Sequence, residues 1–249
     1  MASEPNSVRV VLVSPRNPLN IGAATRAMAN FGFSDLAVVA PYEPHWREAK
    51  SAVGAEDLLQ KARRTQCLAE AVADCTLVIG TGTLTHRKPE QPVVSLPDLA
   101  LLIESKGAHG ARVALVFGPE KHGLTREDLS WCHLLVEIPT DARQPSMNLG
   151  QAVAVCLYEL ASRAFSRPPA ESASPQAIPA PSTSLDLLAA VIEQTMTAAG
   201  YSPRAMLPAN RHDLRLLLRR LAPSALDTRR MLGLFRRILW RLEPGPKRK

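Results

Sequence analysis

The sequence predicts an α/β domain built on a parallel sheet, followed by a small all-α module, and three observations carry that prediction. Short β-branched apolar runs alternate with helical stretches over the first two thirds of the chain, the pattern of parallel strands joined by crossover helices. A proline-rich stretch, Ser166 to Ser184, interrupts the alternation with five prolines and one bulky apolar residue, Ile178. Three amphipathic segments then follow without strands. The expected division is residues 1–165 for the α/β domain, 166–184 for a semi-extended linker and 185–249 for a basic helical module.

The first run, Val8 to Val13 (VRVVLV), reads as a strand buried on both faces. A helix from about Ile21 to Phe31 follows, with Ile21, Ala24, Met28 and Phe31 on one stripe and Gly32 placed to cap its end. Leu36 to Ala40 is the second strand, which makes a βαβ unit. From Pro41 to Arg64 the pattern weakens to a polar loop and a helical stretch. Leu68 to Val72 is helical, Thr76 to Gly80 a buried strand, Thr81 to Pro92 a loop, and Leu96 to Glu104 a helix. Strands at Val113 to Phe117 and Leu134 to Ile138 flank a short helix that Thr125 can cap, with Glu127 and Asp128 in its first turn.

The chain is organised around the stretch from Val113 to Ala164, where two polar loops each begin as a strand ends. Ligands of open parallel sheets bind outside the carboxyl ends of the strands, so the site is expected there. The helix from about Asn148 to Phe165 is apolar on nearly all sides and calls for a second packing partner besides the sheet. A subunit interface is the simplest candidate. Beyond the linker, Leu185, Leu188 and Ile192 form one stripe, Leu214, Leu217, Leu218 and Leu221 a second, and Met231, Leu234, Phe235 and Ile238 a third.

At 46% hydrophobic and 21% charged residues, the composition is that of an ordinary globular protein. No apolar run approaches the ~18 residues that span a bilayer, and MASEPNSVRV lacks the features of a signal peptide. A cytoplasmic location without membrane contact is therefore expected. Cys67, Cys75, Cys132 and Cys156 form no CxxC and are expected to be reduced, buried packing residues. The histidines form no HExxH or close pair, so no metal site is expected. The net charge of +7 is unevenly placed: residues 201–249 hold 13 Lys/Arg against 3 Asp/Glu, and the first 200 hold 17 against 20. Such asymmetry points to a polyanion partner. Arg211, Arg215 and Arg219 share one face of the second helix opposite its leucines, and Arg229, Arg230, Arg236 and Arg237 decorate the third. These seven are the candidates to contact such a partner, and the resemblance described below implies that it is RNA.

Three loops carry the chemistry: NPLNIGAATRAMANFG (17–32), FGPEKHGL (117–124) and IPTDARQPSMNLGQA (138–152). In order and spacing they resemble the three motifs of the SPOUT-class RNA methyltransferases of the TrmH/SpoU family, which methylate ribose 2′-hydroxyls. They are most similar to the TrmJ branch, which modifies tRNA in the anticodon loop. The resemblance is firm from Val8 to about Phe165 and extends to the basic helical module.

The resemblance implies a SPOUT-type parallel sheet with a C-terminal trefoil knot, a homodimer formed through that domain, and a tRNA substrate modified at nucleotide 32. It implies S-adenosylmethionine held by Thr81, Gly82, Thr83, Gly118, Ile138, Pro145, Ser146 and Met147. Glycine at 82 and 118 lets backbone come close to a ligand. The implied catalytic set is Arg26, Asn20, Ser146 and Asn148. A guanidinium does not readily give up its proton, so Arg26 is read as positioning a phosphate and stabilising the developing alkoxide. Asn20 caps its helix or orients substrate. Ser146 contacts cofactor or ribose, Asn148 sets loop geometry, and His122 is structural. Glu120 is read as bracing the second loop through backbone amides.

Three other readings compete. A nicotinamide dehydrogenase needs GxGxxG after an early strand, and VIGTGTLTH supplies only GxG. A non-catalytic RNA-binding protein fits the basic tail but gives no reason for Arg26, Asn20 and Ser146 together. A 2′-O-methyltransferase acting at another tRNA position, or on rRNA, shares the same motifs.

Overall fold

The computed structural model describes residues 8–82, 89–106, 112–165, 178–201 and 206–242. Its centre is a seven-stranded sheet in the order β3-β2-β1-β6-β4-β7-β5, with every neighbouring pair parallel. The strands are β1 (Val8–Val13), β2 (Asp35–Val39), β3 (Arg63–Thr65), β4 (Leu77–Thr81), β5 (Val93–Ser95), β6 (Val113–Phe117) and β7 (Leu134–Glu137). β1, β4 and β6 are buried along their whole length, as expected of strands covered on both faces. β3 and β5 are three-residue edge strands that the sequence pattern does not reveal. They are too short for a periodicity and gain their partners only from the assembled sheet.

One sheet face is covered by α1 (Pro18–Asn30), α2 (Glu56–Lys61), α4 (Leu96–Lys106) and α6 (Leu149–Phe165), which share a core with Val10, Leu12, Leu115, Phe117 and Val136. α1 begins three residues before its expected start. Asn17, not Asn20, is its N-cap, accepting a hydrogen bond from Leu19 N at 2.9 Å. At its other end Gly32 has the positive φ of +80° that a C-terminal cap requires. The second packing partner expected for α6 lies largely within the same chain: α6 packs against both α1 and α4 as well as the sheet. Among its described apolar side chains, Tyr158 is left 58% exposed, in edge contact with Phe31.

Among the described residues of the α/β domain, the opposite face carries two four-residue helices, α3 (Leu68–Ala71) and α5 (Arg126–Leu129). α5 starts at the predicted cap, where Thr125 and Asp128 form a reciprocal capping box. The C-terminal module docks on this thinly covered side. It consists of α7 (Ser182–Ala198), α8 (Leu207–Leu221) and α9 (Ala225–Leu242), with α7 packed against the other two. α7 begins at Ser182, inside the expected linker, because Ser182 N and Thr183 N donate to the carbonyls of Cys75 and Ala73 at 2.9 and 3.0 Å. Residues 166–177 of that linker lie outside the described residues. The strand order and the return of α6 onto α1 are consistent with the knotted threading that the resemblance implies.

Two details depart from the sequence reading. Arg9, inside the apolar run of β1, is fully buried. Its guanidinium donates to Asp74 at 2.5 and 3.0 Å, to Asp35 at 3.0 Å and to the Ala71 carbonyl at 2.6 Å. Hydrogen bonding to Arg9 outweighs partial burial and holds the Asp74 carboxyl well below the usual carboxylate range. Of the cysteines expected to be buried, Cys67 is exposed, whereas burial pushes the thiols of Cys75, Cys132 and Cys156 up to about 12. Among the described residues no helix is long and apolar enough to cross a membrane.

Candidate functional site

β6, β4 and β7 are neighbours in the sheet, so their carboxyl ends deliver Gly118, Gly82 and Ile138 to one place. A cleft of about 280 Å³ opens there. Thr81, Gly82, Gly118, Ile138, Pro145, Ser146 and Met147 all line it, so seven of the eight residues expected to hold a cofactor meet at one cleft. Thr83 lies outside the described residues. The two glycines have different reasons. A Cβ on Gly82 meets nothing within 4 Å, so its backbone faces open space. A Cβ on Gly118 falls 2.2 Å from Leu124 N and 2.3 Å from Gly123 C, so Gly118 is needed for the loop to fold back on itself rather than for a ligand to approach.

The cleft is held by a hydrogen-bonded chain through all three motif loops. Glu120, on the cleft wall, accepts from Arg16 N at 3.1 Å, Asn17 N at 3.2 Å and Asn20 Nδ2 at 2.9 Å. Its carboxylate therefore ties the first loop to its own. Asn148 Nδ2 donates to Asn20 Oδ1 at 2.9 Å, and Asn148 Oδ1 accepts from Gly150 N at 2.9 Å, which caps α6. Asn20 and Asn148 thus both turn their side chains to this chain, and neither lines the cleft. Burial alone raises the Glu120 pKa. The hydrogen bonds from Asn20 and from the Glu120, Arg16 and Asn17 amides win, so the carboxyl lies below its ordinary value. An ionised acceptor with three donors suits a brace and not a general acid. Spacing alone could not show this, because the partner of each residue lies about a hundred positions away.

Ser146 lies on the cleft wall three residues before α6 and is exposed. Arg26 is exposed on α1, does not line the cleft, and has no hydrogen-bond or ion-pair partner among the described residues. The guanidinium and the cleft are therefore apart within one chain. The cleft also holds Lys121, an exposed cation that the sequence reading did not single out. Backbone conformation marks this end of the sheet as well: Ser14 and Ala40, directly after β1 and β2, adopt φ of +44° and +40°. Non-glycine residues rarely tolerate that region.

The expected cationic exterior is half reversed. Arg215 and Arg219 are buried, which corrects their assignment as RNA contacts. Arg215 pairs with Glu127 at 2.5 Å and Ser130 Oγ at 2.8 Å, and Arg219 with Asp186 and the Trp131 carbonyl, both at 2.9 Å. Both stack on the Trp131 ring, 4.1 and 4.8 Å from its centroid. Arg211 is exposed but bound to Glu193 at 3.0 Å. The leucines expected to be buried are partly outside instead, since Leu217 and Leu221 are exposed. The physical reason is that Glu127, Asp186 and Trp131 make the docking surface polar and aromatic, so α8 turns its guanidinium groups to it. Arg229, Arg230, Arg236 and Arg237 are all exposed on α9, and Arg230 makes a 3.5 Å ion pair with Asp227.

The family model of the SpoU rRNA Methylase family matches residues 7–158. Over 233 residues, 92% of this chain and 90% of the relative, the sequence is 31% identical to the tRNA (cytidine/uridine-2′-O-)-methyltransferase TrmJ of Yersinia pestis (strain Pestoides F). It is 43% identical over 155 residues, 61% of this chain and 60% of the relative, to the tRNA (cytidine/uridine/adenosine-2′-O-)-methyltransferase TrmJ of Pseudomonas aeruginosa (strain UCBPP-PA14). Among solved structures, TrmJ from Z. mobilis ZM4 superposes with a TM-score of 0.79 at 31% identity, covering 92% of this chain and 98% of that one. The likeness therefore runs past the sheet into the C-terminal helices.

Proposed function

Because the chain belongs to the SpoU rRNA Methylase family, we propose that it is an S-adenosylmethionine-dependent tRNA 2′-O-ribose methyltransferase, acting at nucleotide 32 of the anticodon loop in the cytoplasm. The observation that carries this reading is the meeting of three separate motif loops at one cleft, bolted together through Glu120, Asn20 and Asn148. The names of the similar proteins support tRNA as the substrate class.

S-adenosylmethionine fits the cleft in character: apolar walls from Ile138, Met147 and Leu149 stand beside the open backbone at Gly82. Thr81, Gly82, Gly118, Ile138, Pro145, Ser146 and Met147 would hold it, and Thr83 follows in the same loop. Bound there, it supplies a sulfonium methyl open to attack. The chain's own part is alignment and charge. Ser146 would orient the ribose, Asn20 and Asn148 keep the loops in register, and Lys121 draws the phosphate backbone to the cleft. The ribose 2′-hydroxyl would be held in line with that methyl, and its proton would pass to phosphate or water. Arg26 stabilises the developing alkoxide and anchors the adjacent phosphate. Since Arg26 does not line its own cleft, we place it in a homodimer formed through the α1–α6 layer, where Leu19 and Tyr158 remain exposed.

The test is transfer of labelled methyl to unmodified tRNA, followed by nucleoside mass spectrometry. The expected product is a single 2′-O-methylated nucleotide in the anticodon loop. Arg26→Ala is expected to slow turnover by about 100- to 1,000-fold while calorimetry finds unchanged S-adenosylmethionine binding. Full turnover in that variant removes Arg26 from the mechanism, transfer to rRNA alone overturns the substrate, and a monomer in sedimentation removes the dimer.

A further inference from the structure

α9 carries five arginines and one acidic residue, and its residues divide cleanly around the helix axis. Thr228, buried, and Leu232, Phe235 and Leu239, half-buried, occupy the arc that packs on α7. At 100° per residue, Arg229, Arg230, Arg236, Arg237, Arg241 and Trp240 fall together on an arc of about 140° on the other side. Trp240 is 57% exposed and sits among the arginines, with the Arg237 and Arg241 guanidinium carbons 4.3 and 5.4 Å from its ring centroid. Gly233 occupies the middle of the same arc, and a Cβ there would meet nothing within 4 Å. Glycine inside a helix is unfavourable, so this one leaves a bare step among long side chains at a cost to the helix.

We propose that this face of α9 binds single-stranded RNA, with Trp240 as a platform on which an unpaired base stacks and Gly233 as the gap that admits the strand. The assignment rests on the RNA reading above and deepens it by naming an aromatic contact outside the cleft. Arginine rows bind phosphate without regard to sequence. A half-exposed aromatic ring between them supplies the second ingredient of single-strand grooves, stacking that tolerates any base. A solvated basic helix would have no use for either feature: an exposed tryptophan costs apolar hydration, and alanine at 233 would stabilise the helix.

The experiment titrates the full-length protein with an unmodified tRNA transcript and with oligouridine, reading affinity and tryptophan emission. Trp46 is buried and Trp131 is already occupied by Arg215 and Arg219, so quenching by RNA reports on Trp240. Trp240→Ala is expected to weaken binding of both RNAs about tenfold and to abolish quenching, and Trp240→Phe to retain most of the affinity. Gly233→Gln is expected to raise the thermal midpoint while weakening RNA binding several-fold, opposite movements that a merely structural role does not produce. Unchanged affinity in Trp240→Ala overturns the proposal, as does dissociation of a dimer in sedimentation without loss of RNA binding, which would assign the face to a second copy of the chain. Wild-type protein that binds S-adenosylmethionine but neither RNA removes the substrate reading as well. Wild-type binding that Trp240→Ala leaves intact removes this one alone.

Discussion

α8 and α9 are neighbouring helices of similar length, each with arginines spaced to share a face, yet their arginines have opposite fates. On α8, Arg215 and Arg219 are driven inward by Glu127, Asp186 and the Trp131 ring, and Arg211 is held by Glu193. On α9, Arg229 and Arg236 have no ion-pair partner among the described residues, because α7 presents α9 with apolar contacts from the opposite side. A local excess of positive charge therefore does not locate a nucleic-acid face. Acids and aromatic rings on the partner elements decide which arginines remain available, and those partners are remote in sequence.

The largest effect expected from this contrast is on stability. Arg219 is 1% exposed, and burial lowers its pKa despite the opposing charge of Asp186. Removing it leaves Asp186 and the Trp131 carbonyl without their donor and opens a void against the ring. Arg219→Ala is therefore expected to cost about 3 kcal/mol, the usual scale for breaking a buried pair from one side. Denaturant unfolding checks it, with Arg236→Ala as the α9 counterpart expected to fall within about 0.5 kcal/mol of wild type. Equal costs in the two variants would erase the distinction between the helices.

The same contrast shows what a single sequence makes legible. Period and turn chemistry point to the central strands, the Thr125 cap, the Gly32 terminator and the place of the cleft, because each is encoded within a few residues or at a strand's carboxyl end. The α8 stripe was misread because amphipathicity says which residues share a face, not which face is buried. Leu217 and Leu221 look like core until Glu127 and Trp131 are placed opposite Arg215. Arg9 is hidden for a related reason: its acids come from elsewhere in the chain, Asp35 from the start of β2 and Asp74 from the turn before β4. At the site, the sequence offers Asn20 as a cap or a substrate-orienting residue, whereas its bonds to Glu120 and Asn148 are visible only in three dimensions.

The next largest effect concerns salt. Replacing Arg229, Arg230, Arg236 and Arg237 together by alanine should remove up to four phosphate contacts. At about 0.7 per contact for single strands, that flattens the log–log salt slope by about 2.8, or about 50-fold in affinity change between 50 and 200 mM salt. Arg211→Ala, whose guanidinium already serves Glu193, should leave the slope within about 0.3 of wild type, less than half of one such contact. A slope unchanged by the fourfold variant would assign the α9 arginines to solubility.

The smallest effect is on pH, and it separates the two helices without touching RNA. Burial raises the Glu127 pKa, but the hydrogen bond and charge of Arg215 outweigh it, so the folded-state value lies below the ordinary one. A carboxyl with a depressed folded pKa contributes stability that is complete above its unfolded value near 4.3 and disappears as pH falls through the folded value. The Glu127–Arg215 contribution to α8 docking should thus be complete above about 4.3 and weaken below about 4. Its size is modest because the Glu127 side chain is 64% exposed and screened by water and salt. Emission from Trp131 in a Trp240→Phe background would follow it, and Glu127→Gln should lose that part of the acid response while α9 stays unaffected. If both backgrounds titrate alike from pH 6 to 3, Glu127 does not hold Arg215 in solution, and α8 owes its inward turn to Trp131 and Asp186 alone.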